Sequence, residues 1–360
     1  MPDSGEVLSG VRTIAVLRPN AVGDFIFALP ALHALRAAYP AARIIYIGKA
    51  WHAEFLRDRP GPIDDVAVIP PCPGVGAPLQ QEYDEGAVDA FVASMRSAEI
   101  DLAVQIYGGG RYANPFIRRL GARLSVGLKA PDAEPLDRWI AYASLQNKRL
   151  LLLEAAALAG ARSLELGREL EVTARDRTEA AQVMGPATAQ PLVLIQPGSS
   201  DARRRWPASS FARVADVLAA AGAVIAVHGT AAEAAVVREV IGHMRHPAFD
   251  LSGKVSLSGL CGLLARSALL VSNDTGPLHL ALAVGTPAVG IYWLTNLYES
   301  GPLLQDRHRA ALATRTLCPV CGAENLTQRC PHDESFVADV PVAEVTELAL
   351  ELLRRQGVDR

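Results

Sequence analysis

The sequence predicts an α/β protein of two doubly wound domains, on three observations. Apolar runs of strand length alternate with longer helical patterns almost throughout. At 360 residues the chain exceeds one ordinary core. The alternation breaks only once, between about 160 and 190, where Gly160, Gly167, the charged run Arg175-Asp176-Arg177 and Gly185-Pro186 lie.

In the first half, strands are expected at 13–17, 43–47, 66–69, 102–106 and 124–127, with helices at 25–38 and 88–98. Pro30 predicts a break in the first of these helices near Ala28–Leu29. In the second half, strands are expected at 192–196, 224–228, 269–272 and 288–292. Helices at 210–221, 232–244 and 278–284 separate them. The domain boundary falls near 170–188, giving domains over 1–175 and 176–335. A helix over about 342–355, within a tail of 336–360, is expected to pack back on the first domain. Right-handed crossovers put the loops that follow the strands at one edge of each sheet, which is where ligands bind in open α/β sheets.

Composition narrows the function. Half of the residues are hydrophobic, a fifth are charged and the formal net charge is −3. No basic stripe or arm is present, so nucleic acid is not an expected partner. The most apolar stretch, 150–160, is short and carries Glu154, well under the roughly 18 apolar residues of a membrane span. No basic region followed by an apolar run opens the sequence, so a cytoplasmic protein is expected. The five cysteines do not form a secreted disulfide framework.

Four strand-following loops carry the candidate chemistry. Arg18-Pro19-Asn20-Ala21-Val22-Gly23-Asp24 opens the first helix; Gly23 allows a close turn. Asp24 there is either a partner of the helix dipole or a general base. Gln196-Pro197-Gly198-Ser199-Ser200 is followed by Arg203, Arg204 and Arg205. Hydroxyls and guanidinium groups suit a diphosphate, and a solvated basic turn is the alternative. His228-Gly229-Thr230 precedes Glu233, either a ribose acceptor or an ordinary first-turn carboxylate. Last, Asn273-Asp274-Thr275-Gly276-Pro277-Leu278-His279 ends a strand and starts a helix. Pro277 suits the first helical position, and the free N–H groups of the helix start make an anion site. A plain capped turn is the alternative there.

Together these segments resemble glycosyltransferase family 9, the heptosyltransferase-like enzymes. The carriers are Leu17-Arg18 through Gly23-Asp24 to Leu29-Pro30; Gln196 to Ser200 with Arg204 two residues before Trp206-Pro207; His228-Gly229 with Glu233; and Ser272 to His279 leading to Gly285-Thr286-Pro287. The resemblance covers about residues 12–300. It implies a GT-B fold, two Rossmann-like domains with parallel sheets facing a central cleft. It implies inverting transfer of heptose from an ADP-sugar to a lipopolysaccharide-type or other lipid-linked glycan acceptor, with no essential metal. On this reading Asp24 is the base, and Ser199, Ser200, Arg204, Glu233, Asp274, Thr275, Gly276 and His279 bind the donor; Gly23 and Gly198 shape the loops. Arg204 stands where many members carry Lys, which keeps the charge but changes hydrogen-bond geometry. Another nucleotide-sugar enzyme of this fold, such as an epimerase or a transferase with a different donor, is the alternative. So is a nucleotide-sugar-binding protein without turnover.

Two further groups remain. Gly108-Gly109-Gly110-Arg111-Tyr112 is a candidate mobile wall for the acceptor, with Arg36, Arg118 and Arg119 as candidate phosphate contacts. A lipid-linked acceptor implies only peripheral contact with the inner membrane face. Cys318, Cys321, Cys330 and His332 offer four ligands for a tetrahedral structural zinc site, or else form a reduced, redox-sensitive loop.

Overall fold

The computed structural model describes residues 5–358 except Ser144, Glu165, Arg168, Thr188 and Thr327. The chain divides into two compact units, Met1–Glu171 and Val172–Arg360.

Unit 1 runs β1 (Thr13–Leu17), α1 (Val22–Ala38), β2 (Arg43–Gly48), α2 (Ala50–Leu56), β3 (Asp65–Val68), β4 (Cys72–Pro73), β5 (Gly76–Ala77), α3 (Glu85–Ser97), β6 (Leu102–Gln105), α4 (Ala113–Arg119), β7 (Leu124–Lys129), β8 (Arg138–Ala141) and α5 (Lys148–Ala157). Its main sheet has the order β3-β2-β1-β6-β7-β8, and every neighbouring pair is parallel. The β1 side chains alternate between two covered faces. Ala15 and Leu17 join Val88, Val92, Met95 and Phe116 from α3 and α4 in one core. α1 packs with α5.

Pro30 does not break α1. The helix is continuous from Val22 to Ala38, and Phe25 to Leu32 are all buried. A proline removes one backbone hydrogen bond, and burial of each large apolar side chain returns roughly 1.5–3 kcal/mol. Burial decides the outcome.

Unit 2 runs α6 (Ala174–Met184), β9 (Leu192–Gln196), α7 (Ala208–Ala220), β10 (Val224–Gly229), α8 (Ala234–His243), β11 (Phe249–Ser252), α9 (Leu257–Arg266), β12 (Leu269–Asn273), α10 (Gly276–Ala283), β13 (Ala288–Trp293), α11 (Leu294–Ser300), β14 (His308–Ala313) and α12 (Val342–Val358). Its sheet has the order β11-β10-β9-β12-β13-β14, again parallel throughout. This is the strand order of unit 1 over again, the classic doubly wound arrangement.

The charged run Arg175-Asp176-Arg177 is not a linker. Thr173 caps α6: its hydroxyl accepts from Asp176 N–H (3.2 Å), and the Asp176 carboxylate accepts from Thr173 N–H (2.9 Å). This reciprocal pair fixes the helix start. α6 then lies so close to α9 that a side chain on Gly262 would run into the Asp176 carbonyl. α12 contributes to the core of unit 2. Its buried face, Val345, Ala349 and Leu352, packs there with Phe211, Leu218 and Trp293. No helix of the described residues is long and apolar enough to cross a membrane.

Candidate functional site

In each sheet the strand order reverses between its first strand and the fourth, and the loops after those two strands flank that switch point. In unit 1 these loops follow β1 and β6. Arg18, 5% exposed, stitches them. Its Nη1 donates to the carbonyl of Ile106 beyond β6. Its Nε and Nη2 donate to the backbone oxygen (2.8 Å) and Oδ1 (2.9 Å) of Asp24. The Tyr46 hydroxyl donates to the Arg18 carbonyl (2.7 Å) from β2. Asp24 is the third residue of α1, and the N-cap Ala21 offers no side-chain cap. The helix thus starts earlier than expected, and Gly23 lies inside its first turn. The Asp24 side chain keeps 30% of its surface open, while one oxygen is held by a buried guanidinium. Charge-assisted hydrogen bonds of this kind fix a carboxylate's orientation.

In unit 2 the switch-point loops follow β9 and β12, and Asn273 ties them. Its Oδ1 accepts from Trp206 N–H (3.0 Å) and its Nδ2 donates to the Pro197 carbonyl (2.7 Å). The next residue, Asp274, is 2% exposed. It gathers three donors: His279 Nε2 (3.0 Å), Ser300 Oγ (3.1 Å) and Arg204 Nη1 (3.2 Å). Burial pushes this carboxyl's pKa up, but the His279, Arg204 and Ser300 contacts outweigh burial and hold it below the usual range. Asp274 and His279 are therefore inward-facing residues that aim Arg204.

The three arginines of the following turn have separate partners. Arg203 makes a two-point pair with Asp201 (3.1 and 2.7 Å). Arg205 Nε donates to the Ser199 carbonyl (2.8 Å). Arg204 bonds Asp274 and approaches Ser200 Oγ at 3.5 Å. Its Nε is buried and, among the described residues, has no partner; the same holds for Ser199 Oγ. Buried polar atoms in folded proteins are satisfied with few exceptions, and an exception calls for a partner such as water, an ion or a ligand, or for a functional reason.

α10 begins at Gly276 with Thr275 as N-cap, and no side chain caps it. Pro277 has no N–H and Leu278 N–H donates to the Thr275 carbonyl (3.0 Å), so the Gly276 N–H and the positive end of the dipole are what this helix start offers an anion. Glu233 accepts from Thr230 N–H (2.9 Å) and Oγ1 (3.0 Å), a capping arrangement. Its carboxylate lies against Gly198, where any Cβ would collide with it. A side chain at 198 would have to push aside the Glu233 carboxylate, the far end of a flexible side chain. His228 Nδ1 donates to Gln196 Oε1 (2.6 Å), and burial lowers its pKa to about 4. The ring is neutral at physiological pH.

The acceptor-side candidates of unit 1 have partners within that unit. Arg36 bonds the Ala42 (2.6 Å) and Pro62 (3.1 Å) carbonyls. Arg118 bonds the Pro135 carbonyl (3.1 Å), and Arg119 pairs with Asp89 (2.5 Å). The glycine loop is anchored: Ala130 N–H donates to Gly109 O (2.6 Å) and Asn114 N–H to Gly110 O (2.8 Å).

After β14, the ligand atoms of Cys318, Cys321, Cys330 and His332 all lie within 4.8 Å of one another. The cysteines are free thiols. Arg18, Asn273 and Ser300 were not picked out from sequence as working residues. Arg18 and Asn273 each adjoin a residue that was, or its loop, and that adjacency was the available signal.

Comparison with known proteins adds the following. The family model described as "Glycosyltransferase family 9 (heptosyltransferase)" matches residues 135–325. Lipooligosaccharide heptosyltransferase 2 of Haemophilus influenzae is 23% identical over 306 residues, 81% of this chain and 86% of that protein. A solved glycosyl transferase family 9 structure from Veillonella parvula superposes with a TM-score of 0.81 at 19% identity, covering 98% of this chain and 100% of the other. The solved ADP-heptose lps heptosyltransferase II of E. coli gives a TM-score of 0.75 at 17% identity, over 96% and 99% of the two chains. The fold is GT-B, with a parallel sheet in each Rossmann-like unit.

Proposed function

The chain belongs to glycosyltransferase family 9, and on that premise we propose that it transfers heptose from ADP-heptose to a lipopolysaccharide-type acceptor with inversion. Names of its relatives support the donor and the acceptor class. The observation that carries the donor reading lies in unit 2. Two buried polar atoms without a partner among the described residues, Ser199 Oγ and Arg204 Nε, accompany a helix start at Gly276 that no side chain caps. That set suits a diphosphate: permanent positive charge, a hydroxyl donor and a backbone N–H at the helix start.

The chemistry is a single displacement. The acceptor oxygen attacks the anomeric carbon as the bond to the diphosphate oxygen breaks. Asp24 takes the proton of the acceptor hydroxyl. Arg204, Ser199, Ser200, Thr275 and the first turn of α10 stabilise the negative charge that develops on the leaving ADP. Asp274 and His279 keep Arg204 in position. Glu233, held beside Gly198, accepts from the nucleotide ribose. No metal takes part in the transfer. The Cys318, Cys321, Cys330 and His332 set binds a structural zinc ion. The enzyme works in the cytoplasm and meets the membrane only through its acceptor.

Asp24→Asn tests the base. An asparagine still accepts from Arg18 through its amide oxygen, so the loop persists while the basic group is lost. Transfer is expected to fall by about 10²–10⁴-fold, with ADP binding and thermal unfolding nearly unchanged. Transfer surviving within a few-fold would rule Asp24 out as the base.

A further inference from the structure

The segment after β14 holds a four-ligand cluster and also grips the arginine turn. Cys318-Pro319-Val320-Cys321-Gly322 forms a tight turn. Val320 N–H donates to Cys318 Sγ (3.4 Å), and Gly322 N–H donates to the Cys318 carbonyl (2.9 Å). Gly322 has φ of 70°, which favours glycine. The second half is shaped by Asn325, whose Nδ2 donates to Cys330 Sγ (3.4 Å) and whose Oδ1 accepts from Cys330 N–H (3.2 Å). N–H donors aimed at sulfur stabilise thiolates, the form that binds metal. His332 Nδ1 is buried and has no partner among the described residues. A tetrahedral zinc site with Zn–S bonds of about 2.3 Å has ligand separations near 3.8 Å. Atoms already within 4.8 Å of one another reach that arrangement by small side-chain rotations.

Both ends of this segment hold the turn that carries Arg204. Phe336, four residues after His332, donates its N–H to the Arg203 carbonyl (2.8 Å). The Phe336 ring packs on Trp293 at 4.8 Å, and the Arg203 guanidinium lies 5.6 Å from a ring centroid of the same indole. Trp293 Nε1 donates to the Arg315 carbonyl (2.7 Å), three residues before Cys318. Trp206 Nε1 donates to the Val340 carbonyl (3.0 Å).

We infer that a zinc ion held by Cys318, Cys321, Cys330 and His332 locks the segment 315–336 and, through Phe336 and Trp293, fixes the Arg203–Trp206 turn for binding a nucleoside diphosphate. The part concerning the diphosphate rests on the donor reading above; the metal and its grip on the turn do not. Among its described residues the segment forms no helix or strand ladder, only the Leu317–Glu324 bridge, and structural zinc contributes folding energy outright.

The test uses the full chain, purified without added metal. Elemental analysis is expected to find about one zinc per chain. Cys321→Ser and His332→Ala are expected to lose it. Backbone hydrogen exchange at residues 201–206 should then quicken about tenfold or more, and ADP affinity should fall by about tenfold. Exchange in β9 and β10 should stay as it was. Zinc removal from the unmodified chain with a chelator should reproduce both changes, which covers a variant that fails to fold. No stoichiometric metal, as purified or after zinc is supplied with reductant, overturns the site; iron at stoichiometric level overturns the choice of zinc. Metal loss without faster exchange at 201–206 overturns the coupling. Faster exchange in a protein that never binds ADP supports the coupling and refutes the donor reading instead.

Discussion

Removing the Asp274 carboxylate is expected to weaken both the stability of unit 2 and its hold on ADP. The side chains of Asp274 and His279 are 3% and 4% exposed, and that of Arg204 is 23% exposed. Asp274→Ala leaves the Arg204 cation without the carboxylate that now accepts from it, and removes an acceptor from His279. Breaking a buried pair by deleting one partner costs about 3–5 kcal/mol; the partial exposure of Arg204 places this case near the lower end. For a unit of this size that is a drop in melting temperature on the order of 6–12 °C. Arg204 also loses its orientation, and a hydrogen bond to a charged group contributes about 1.5–3 kcal/mol, so ADP affinity should fall about 10- to 150-fold. Asp274→Asn keeps an acceptor oxygen and should show a smaller loss of both. The pH dependence follows from the depressed carboxyl pKa. Stability from this group is fully present above the unfolded-state pKa of about 3.9 and is lost as pH falls through the lower folded value. The deficit of Asp274→Ala should therefore be constant from pH 5 to 8 and shrink only in stronger acid. Thermal unfolding and calorimetric ADP titration measure the two effects. An Asp274→Ala protein with unchanged melting temperature and unchanged ADP affinity would refute the aiming role.

Two other measurements probe the same unit. His228 has its pKa lowered to about 4 by burial, so below the unfolded value of about 6.5 the unfolded chain takes a proton that the folded ring refuses until about pH 4. Unit 2 should lose up to about 3 kcal/mol across that window, and His228→Gln should flatten the denaturation-versus-pH slope there by one proton; an unchanged slope would show that another group sets it. Gly262→Ala forces a Cβ onto the Asp176 carbonyl where α6 crosses α9, and overpacking of this kind costs about 1–3 kcal/mol; chemical denaturation with no shift in midpoint would mean that the crossing is looser than described.

The long central strands were legible because buried parallel strands read as unbroken apolar runs. β1 and β9, at 13–17 and 192–196, appear where the pattern placed them. Of the four edge strands, β3 (Asp65–Val68) lies where 66–69 was expected, and the other three were not legible. β8 is half-exposed on alternate residues, β11 carries Asp250 and Ser252, and β14 carries His308 and Arg309. Each is recognisable only once its neighbour supplies the ladder. α6 hid behind its charge, since its start signal is the Thr173–Asp176 cap and its apolar face is largely small residues such as Ala180. At the site, the sequence could list residue types but not directions. It offered Asp274 and His279 as ligand contacts but could not show that both are buried and hydrogen-bonded to each other. Only the family resemblance separated Arg204 from Arg203 and Arg205; their residue types could not, because their different partners lie in Asp201, Asp274 and the backbone of Ser199. The cysteines and His332 were legible as a set; their bond to the arginine turn, through Phe336, was not.

The packing of α12 also dictates an order of events during synthesis. Trp206, within the arginine turn, needs the Val340 carbonyl for its indole N–H. The core beside it stays open until Val345, Ala349 and Leu352 arrive. Unit 1 draws its core from residues made earlier, as α1 meets α5. A nascent chain can thus complete unit 1 while still tethered to the ribosome, whereas the Arg204 turn must wait for nearly 150 further residues before its support exists. An incomplete chain released before residue 340 would carry every side chain assigned here to the phosphates, on a turn with nothing behind it.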